Sequence, residues 1–323
     1  MKSAIWVRLW GTSFLAVIGI QAALAQSYPT KLVHIVVPYA AAGPTDIAAR
    51  LVSQGLSEAF KQPFIVENKP GAGGMIGTEY VAKAAADGYT LLISGSGPVV
   101  VNQALFKKMP YDTVRDFAPI TKLVSAPTIL VVPASLPVNS LAELIALAKA
   151  KPGQLNYASA GNGTPPHLAA ELMKSMAGLD IVHVPYAAAQ ASNAVLSGQV
   201  SMLFETPAAQ SAARAGKVKA LAVSTSKRFF GMPEVPTMAE AGLPGFEVDA
   251  WYGLLTPAGT PGEVIKRVYG EVQKTLALPE TSKRMAGLGF EPVGDTPEHF
   301  GSFIHAEIAK WNKVIRESGV KPE

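Results

Sequence analysis

Short apolar runs alternate along this chain with longer stretches in which apolar residues recur every three or four positions. Leu32-Val-His-Ile-Val-Val37 is almost continuously apolar, the pattern of a strand covered on both faces. The segment after it puts Ile47, Leu51, Val52, Leu56 and Phe60 on one helical stripe. Further strands are predicted at 64–66, 91–93, 129–132, 181–184 and 218–223, with helices between most of them. Ser140-Leu-Ala-Glu143 and Thr260-Pro-Gly-Glu263 have capping-box spacing, in which hydroxyl and carboxylate satisfy free backbone donors. Thr164-Pro165 and Thr296-Pro297 place a capping threonine before a proline suited to the first helical position. This βαβα order predicts α/β layers with a mostly parallel sheet.

No low-complexity linker or fixed-period repeat divides the sequence, so two domains would have to be joined by strand-like crossings. Ser125-Ala-Pro-Thr128 and Phe246 to Trp251 are the candidates. The expected division is 26–125 plus 248–323 for domain 1 and 126–247 for domain 2. Ile304, Ile308, Trp311 and Ile315 form a stripe that predicts a C-terminal helix packed back on domain 1.

Residues 1–25 read as a signal peptide: Lys2 and Arg8 are positive, Leu9 to Ile20 is largely apolar, and Ala23-Leu24-Ala25 suits cleavage. A retained anchor is the alternative, but the apolar run falls short of the roughly 20 residues a spanning helix needs. The expectation is a periplasmic protein beginning at Gln26. With no cysteine, disulfides, thiolate metal sites and lipid attachment to cysteine are all excluded. A formal charge of +4, without a Lys/Arg run, gives no support for nucleic-acid binding.

Candidate chemistry concentrates where strands run into small-residue loops and then helices. Val36-Val-Pro-Tyr-Ala-Ala-Ala-Gly-Pro-Thr-Asp46 is the clearest such junction, and others begin at Gly71, Ser94 and Ser159. Small side chains admit a ligand to the backbone, and a first helical turn offers unpaired N–H groups, so the pattern suits an acidic small molecule. Asp46 is either a favourable charge at a helix start or a group that orders this loop. Gly71-Ala-Gly-Gly-Met-Ile-Gly77 fails the usual dinucleotide spacing at Ile76 and lacks the later acidic residue, so no cofactor is expected. The histidines at 34, 167, 183, 299 and 305 form no metal-binding pattern, and no metal is expected. His167, opening a helix after a glycine-rich loop, would face the ligand or support a group that does. Ser96 lies between Gly95 and Gly97, but Ser94 replaces the outer glycine of a nucleophile elbow. It reads as a hydroxyl or backbone donor, with a hydrolase acting on a small acid as the competing class. Tyr39 and Tyr186 each follow a Pro after a strand and would line opposite walls of a cleft.

At these residues the chain resembles the Bug (Bordetella uptake gene) family, the extracytoplasmic receptors of tripartite tricarboxylate transporters. The likeness rests on the 36–46 segment, Val66-Glu-Asn-Lys-Pro-Gly-Ala-Gly-Gly74, Asp87-Gly-Tyr-Thr-Leu91, Leu155-Asn-Tyr-Ala-Ser-Ala-Gly-Asn-Gly-Thr164, His183-Val-Pro-Tyr186 and Gly253-Leu-Leu-Thr-Pro-Ala-Gly-Thr-Pro261. It implies a type II periplasmic-binding-protein-like fold, two α/β domains closing on a carboxylate. Integral-membrane transporter subunits would be the partners of a monomeric, non-enzymatic receptor; a sensor feeding a signalling protein is the alternative. Thr45 and Ser96, with backbone of Ala41, Ala42, Gly43, Ser159, Ala160, Gly161 and Thr164, are then the expected anchors. Tyr39, Asp46, His167, Tyr186 and Glu205 would shape the site. Three departures bear on ligand choice: Ala42 where glycine is usual, Ala187-Ala188 where Lys-Gly is frequent, and Glu205-Thr206 in place of Asp-Asn.

Overall fold

A computed structural model describes residues 28–159, 161, 164–186 and 188–318. The expected signal peptide, Ala160 and Ala187 lie outside the described residues. The fold is two α/β lobes, each built on its own sheet. The first sheet uses β1 (Val33–Val37), β2 (Phe64–Asn68), β3 (Thr90–Gly95) and β4 (Phe117–Ser125). The second uses β5 (Ile129–Pro133), β6 (Asn156–Ser159), β7 (Val182–Pro185), β8 (Met202–Glu205) and β9 (Val218–Val223). The chain then returns to the first sheet with β10 (Tyr252–Pro257) and β11 (Glu291–Pro292). The strand orders are β11-β4-β10-β3-β1-β2 and β7-β6-β8-β5-β9.

The expectation of mostly parallel sheets is corrected. β1 runs parallel to β2 and β3, and β6 to β7 and β8. β10, however, lies antiparallel between β3 and β4, and β5 antiparallel between β8 and β9. Both are strands at which the chain enters a sheet from the other lobe. They arrive from the opposite end, without the helical crossover that makes neighbours parallel.

The crossings run side by side. β4 ends at Ser125 and β5 begins at Ile129, while 246–251 brings the chain back to β10. Ala250 N–H donates to Ala126 O at 3.0 Å, and Pro127 and Asp249 form an antiparallel bridge. Asp249 ties the pair together: it accepts from Lys122 Nζ at 2.5 Å, Ser125 Oγ at 2.6 Å and Ala126 N–H at 3.2 Å. Lys122 is buried, with its ammonium 4.3 Å from the Phe303 ring centre.

Central strands carry the core, as their apolar runs require; Ile35, Leu91, Leu92, Leu130, Val132 and Leu254 are fully buried. His34 is not a core residue, since its half-exposed ring meets Glu67 Oε1 at 2.6 Å across β1 and β2. The C-terminal helix Pro297–Ser318 packs on β4 as expected, but also on helix Pro165–Ala177 of the second lobe, so it spans both. Local helix signals held unevenly. Ser140 Oγ accepts from Glu143 N–H at 3.2 Å, and Thr296 Oγ1 from His299 N–H at 3.2 Å. Thr260 does not cap; its buried hydroxyl donates to Pro257 O at 2.8 Å, and Pro261 takes the cap position.

Candidate functional site

The loop after β1 owes its shape to one carboxylate. Helix Pro44–Phe60 starts with proline, and Gly43 before it is extended at φ −77°. Ala42 sits in the left-handed region at φ 65°, a position that costs an L-residue about 1–2 kcal/mol. Asp46, only 2% exposed, holds it there: Oδ2 accepts from Ala42 N–H at 2.9 Å and from Arg50 Nε at 2.9 Å. Oδ1 accepts from Asn68 Nδ2 at 3.0 Å, and that same amide donates to Tyr39 O at 3.1 Å. Burial alone would raise the Asp46 pKa; the bonds from Arg50, Ala42 and Asn68 outweigh it and hold the carboxyl below its usual range. Its acceptors thus face its own loop and strand β2, leaving the first-turn N–H groups of Thr45 and Asp46 without helical acceptors.

Three further segments complete the wall on the first lobe. In the turn after β2, Gly74 adopts φ 88° and approaches so closely that a Cβ would meet Pro98 Cγ at 2.5 Å. Asn102 Nδ2 secures the turn through Gly73 O at 3.2 Å. At the end of β3, Ser96 is buried beside the Gly97–Val101 turn. Tyr39 is neutral, its hydroxyl pushed above its ordinary range by burial and the nearby Tyr252. The crossings add Thr128, Trp251 and Tyr252, the last with its hydroxyl toward Thr45. Thr128 Oγ1 and Trp251 Nε1 are buried with no hydrogen-bond partner among the described residues.

Together these segments enclose a cleft of about 960 Å³ between the lobes, within the size range of small-molecule sites. The second lobe contributes Thr164, Pro165, Pro166, Thr206, Pro207 and Ala208; Leu288 and Phe290 close another side. No described lining residue carries a charged side chain. What the cleft offers an anion is hydroxyls, backbone donors and the start of a helix.

The structure gathers Tyr39, Ala41, Ala42, Gly43, Thr45, Ser96 and Thr164 around this cleft. Asp46 stands behind the wall rather than in it. Ser159, Gly161, His167, Tyr186 and Glu205 also do not line it. Ser159 Oγ accepts from Gly161 N–H at 3.1 Å and meets His183 Nε2 at 2.7 Å, bracing the loop that leads to Thr164. Thr164 stands at its helix start but gives its hydroxyl to Gly161 O at 2.7 Å. His167 is buried, 4.5 Å from the His183 ring centre. Burial, then His183, press its pKa down to about 4, so at neutral pH it is uncharged. Below them, Tyr157 hydroxyl donates to Glu171 Oε1 at 2.6 Å, and Lys174 pairs with the same carboxylate at 2.7 Å. Tyr186 packs in the second lobe and donates its N–H to Ser159 O at 3.0 Å. Glu205 is engaged locally, accepting from Ser192 Oγ and from Thr206 N–H at 2.8 Å. Sequence reasoning missed Thr128, Tyr252, Leu288 and Phe290. Only Thr128 lies in a crossing segment marked by the sequence; Tyr252 stands one residue beyond the other, and nothing local marks the last two.

Known proteins resemble this chain in sequence and in fold. A family profile described as tripartite tricarboxylate transporter family receptor matches residues 48–320. The protein BugT of Bordetella pertussis is 37% identical over 312 residues, covering 95% of this chain and 96% of that protein. A UPF0065 protein from the tcbD-tcbE intergenic region of Pseudomonas sp. strain P51 is 38% identical over 294 residues, covering 90% of this chain and 87% of its own length. Among solved structures, R. palustris Rpa4515 with adipate has a TM-score of 0.80 at 37% identity, covering 92% of this chain and all (100%) of that one. MatC from Rhodopseudomonas palustris with bound malate has a TM-score of 0.76 at 34% identity, covering 89% of this chain and 100% of MatC.

Proposed function

This chain belongs to the tripartite tricarboxylate transporter receptor family, and from that premise we propose that it captures a small carboxylate in the cleft and delivers it to the membrane subunits of such a transporter. Receptors of the family are periplasmic solute-binding proteins, and no helix among the described residues is long and apolar enough to cross a membrane. Export with cleavage after Ala25, and action as a monomer, are part of the proposal.

The observation that carries it is the Asp46-ordered loop. A carboxylate behind the wall fixes backbone donors in front of it, so an anion meets preformed N–H groups without a cation. Such donors serve anions well, and water can complete the shell at little enthalpic loss. Relatives with adipate and with malate bound make carboxylates the class to test. Ser96 has no His, Asp or Glu beside it among the described lining residues, which favours a hydrogen-bonding role over that of a nucleophile. Capture follows if the ligand stabilises the closed arrangement more than the open one.

Thermal unfolding of protein refolded free of carried-over ligand, against adipate, malate, citrate and benzoate, tests the reading. At 100 times its dissociation constant a ligand adds about 2.7 kcal/mol of stability. A responding acid recovered unchanged supports a receptor. No response to any of the four defeats the anion-cradle argument, and an acid recovered chemically altered replaces it with an enzyme.

A further inference from the structure

Gly289 lies at one of the lobe contacts outside the crossings, the C-terminal helix on helix Pro165–Ala177 being another. It follows helix Pro279–Gly287 in the left-handed region at φ +77°, donating to Ala286 O at 2.9 Å while Phe290 N–H reaches Met285 O at 2.9 Å. So far this is an ordinary helix stop, which asparagine also makes. The surroundings ask for more. A Cβ on Gly289 would stand 2.2 Å from Pro207 Cβ, 2.5 Å from Pro207 Cγ and 3.5 Å from Phe229 Cζ. Carbon atoms in contact normally keep about 3.5–4.0 Å. Helix termination requires a left-handed backbone; only the notch formed by Pro207 and Phe229 requires the absence of a side chain.

The notch belongs to the second lobe, between β8 and the segment after β9, whereas Gly289 belongs to the first. Leu288, Phe290 and Pro207 all line the cleft, so this contact lies on the cleft side of the crossings. Close by, Glu291 pairs with Ser125, where the first crossing begins. A wedge inserted beside a hinge, on the cleft side, turns the lobes apart.

We propose that Gly289 is a positioning residue for lobe closure: its bare backbone seats against Pro207, and that seat sets the angle at which Leu288 and Phe290 meet the bound acid. The inference rests on the cleft being the ligand site, as proposed above.

The chain has no cysteine, so Glu58→Cys and Lys149→Cys, both exposed and one on each lobe, give a specifically spin-labelled protein. Pulsed EPR then reads the lobe separation directly, and calorimetry with adipate reads affinity. Gly289→Asn keeps the helix stop but adds a side chain. The expected result is a distance distribution shifted to longer values and about tenfold weaker adipate binding, with the unfolding midpoint lowered by only about 2–6 °C. In a Pro207→Gly background, where the opposing ring is gone, Gly289→Asn should move neither quantity further. Wild-type separation and affinity in Gly289→Asn, or a shift that persists undiminished in the Pro207→Gly background, would overturn the inference. If the unsubstituted protein binds none of the four acids, the receptor reading fails instead, and the distance measurements still decide whether Gly289 sets the lobe angle.

Discussion

Replacing Asp46 tests whether the loop after β1 is built by its carboxylate or merely precedes a helix. Two of its bonds, to Ala42 N–H and Asn68 Nδ2, are part-buried, and hydrogen bonds to a charged group each contribute about 1.5–3 kcal/mol. Arg50 adds little, about 0.5 kcal/mol, because its side chain is 55% exposed and screened by water. Releasing Ala42 from the left-handed region returns about 1 kcal/mol. Asp46→Ala should therefore lose about 4 kcal/mol of stability, read by calorimetry as a fall of about 8 °C in Tm. Asp46→Asn keeps an acceptor for Ala42 and should lose about half as much. Binding should suffer more than stability suggests, since Ala40 to Gly43 must be ordered again at about 1 kcal/mol of backbone entropy per residue. For Asp46→Ala a Kd roughly a thousandfold higher is expected for whichever acid responds. The carboxyl is held below its ordinary 3.8, so its contribution is complete above that pH and is lost as pH falls through the folded-state value. A variant with reduced Tm but a Kd within about threefold of the parent would refute the reasoning and leave Asp46 as a favourable helix-start charge only.

Other measurements probe the parts that hold the cleft in place. Lys122→Met strands the Asp249 carboxylate at the crossings and should cost about 3–5 kcal/mol in urea unfolding; a loss under about 1 kcal/mol would mean that Ser125 and Ala126 suffice to satisfy it. For His167, depressed to about 4, the unfolded chain takes up a proton first as pH drops below 6.5. Stability contributed by the neutral ring is thus present above pH 6.5 and declines by up to ~3 kcal/mol towards pH 4. His167→Phe should flatten that decline in calorimetry at a series of pH values, and an unchanged slope would place the titration elsewhere.

Much of this protein is legible locally. The strand Leu32 to Val37, the turn at Pro38 and the helix stripe from Ile47 to Phe60 are set by side-chain period and by backbone restrictions of Pro and Gly, which act within a few residues. The small-residue loops at 39–46, 71–74 and 94–97 are visible for the same reason, and all three reach the cleft. Strands β4, β6, β8, β10 and β11 escaped the apolar-run prediction; in β4 and β10 the signal is broken, by Pro119, Thr121 and Lys122 in the first and by Gly253 in the second. Lys122 is buried only because Asp249, 127 residues away, neutralises it, and no local period encodes such a pair. Glu205 and His167 were singled out by their place near loops, yet whether a side chain faces a cleft or a neighbour depends on what the fold brings against it. Ser192 and Thr206 claim the first, and the His183 and Tyr157 rings enclose the second. By itself the sequence determined the α/β class, most of its strands and the loops that present backbone donors, because short-range sterics and periodicity act along the chain. Tertiary structure alone decided the sheet directions, the uncharged lining and the contact of Gly289 with Pro207, because those depend on packing between residues far apart in sequence.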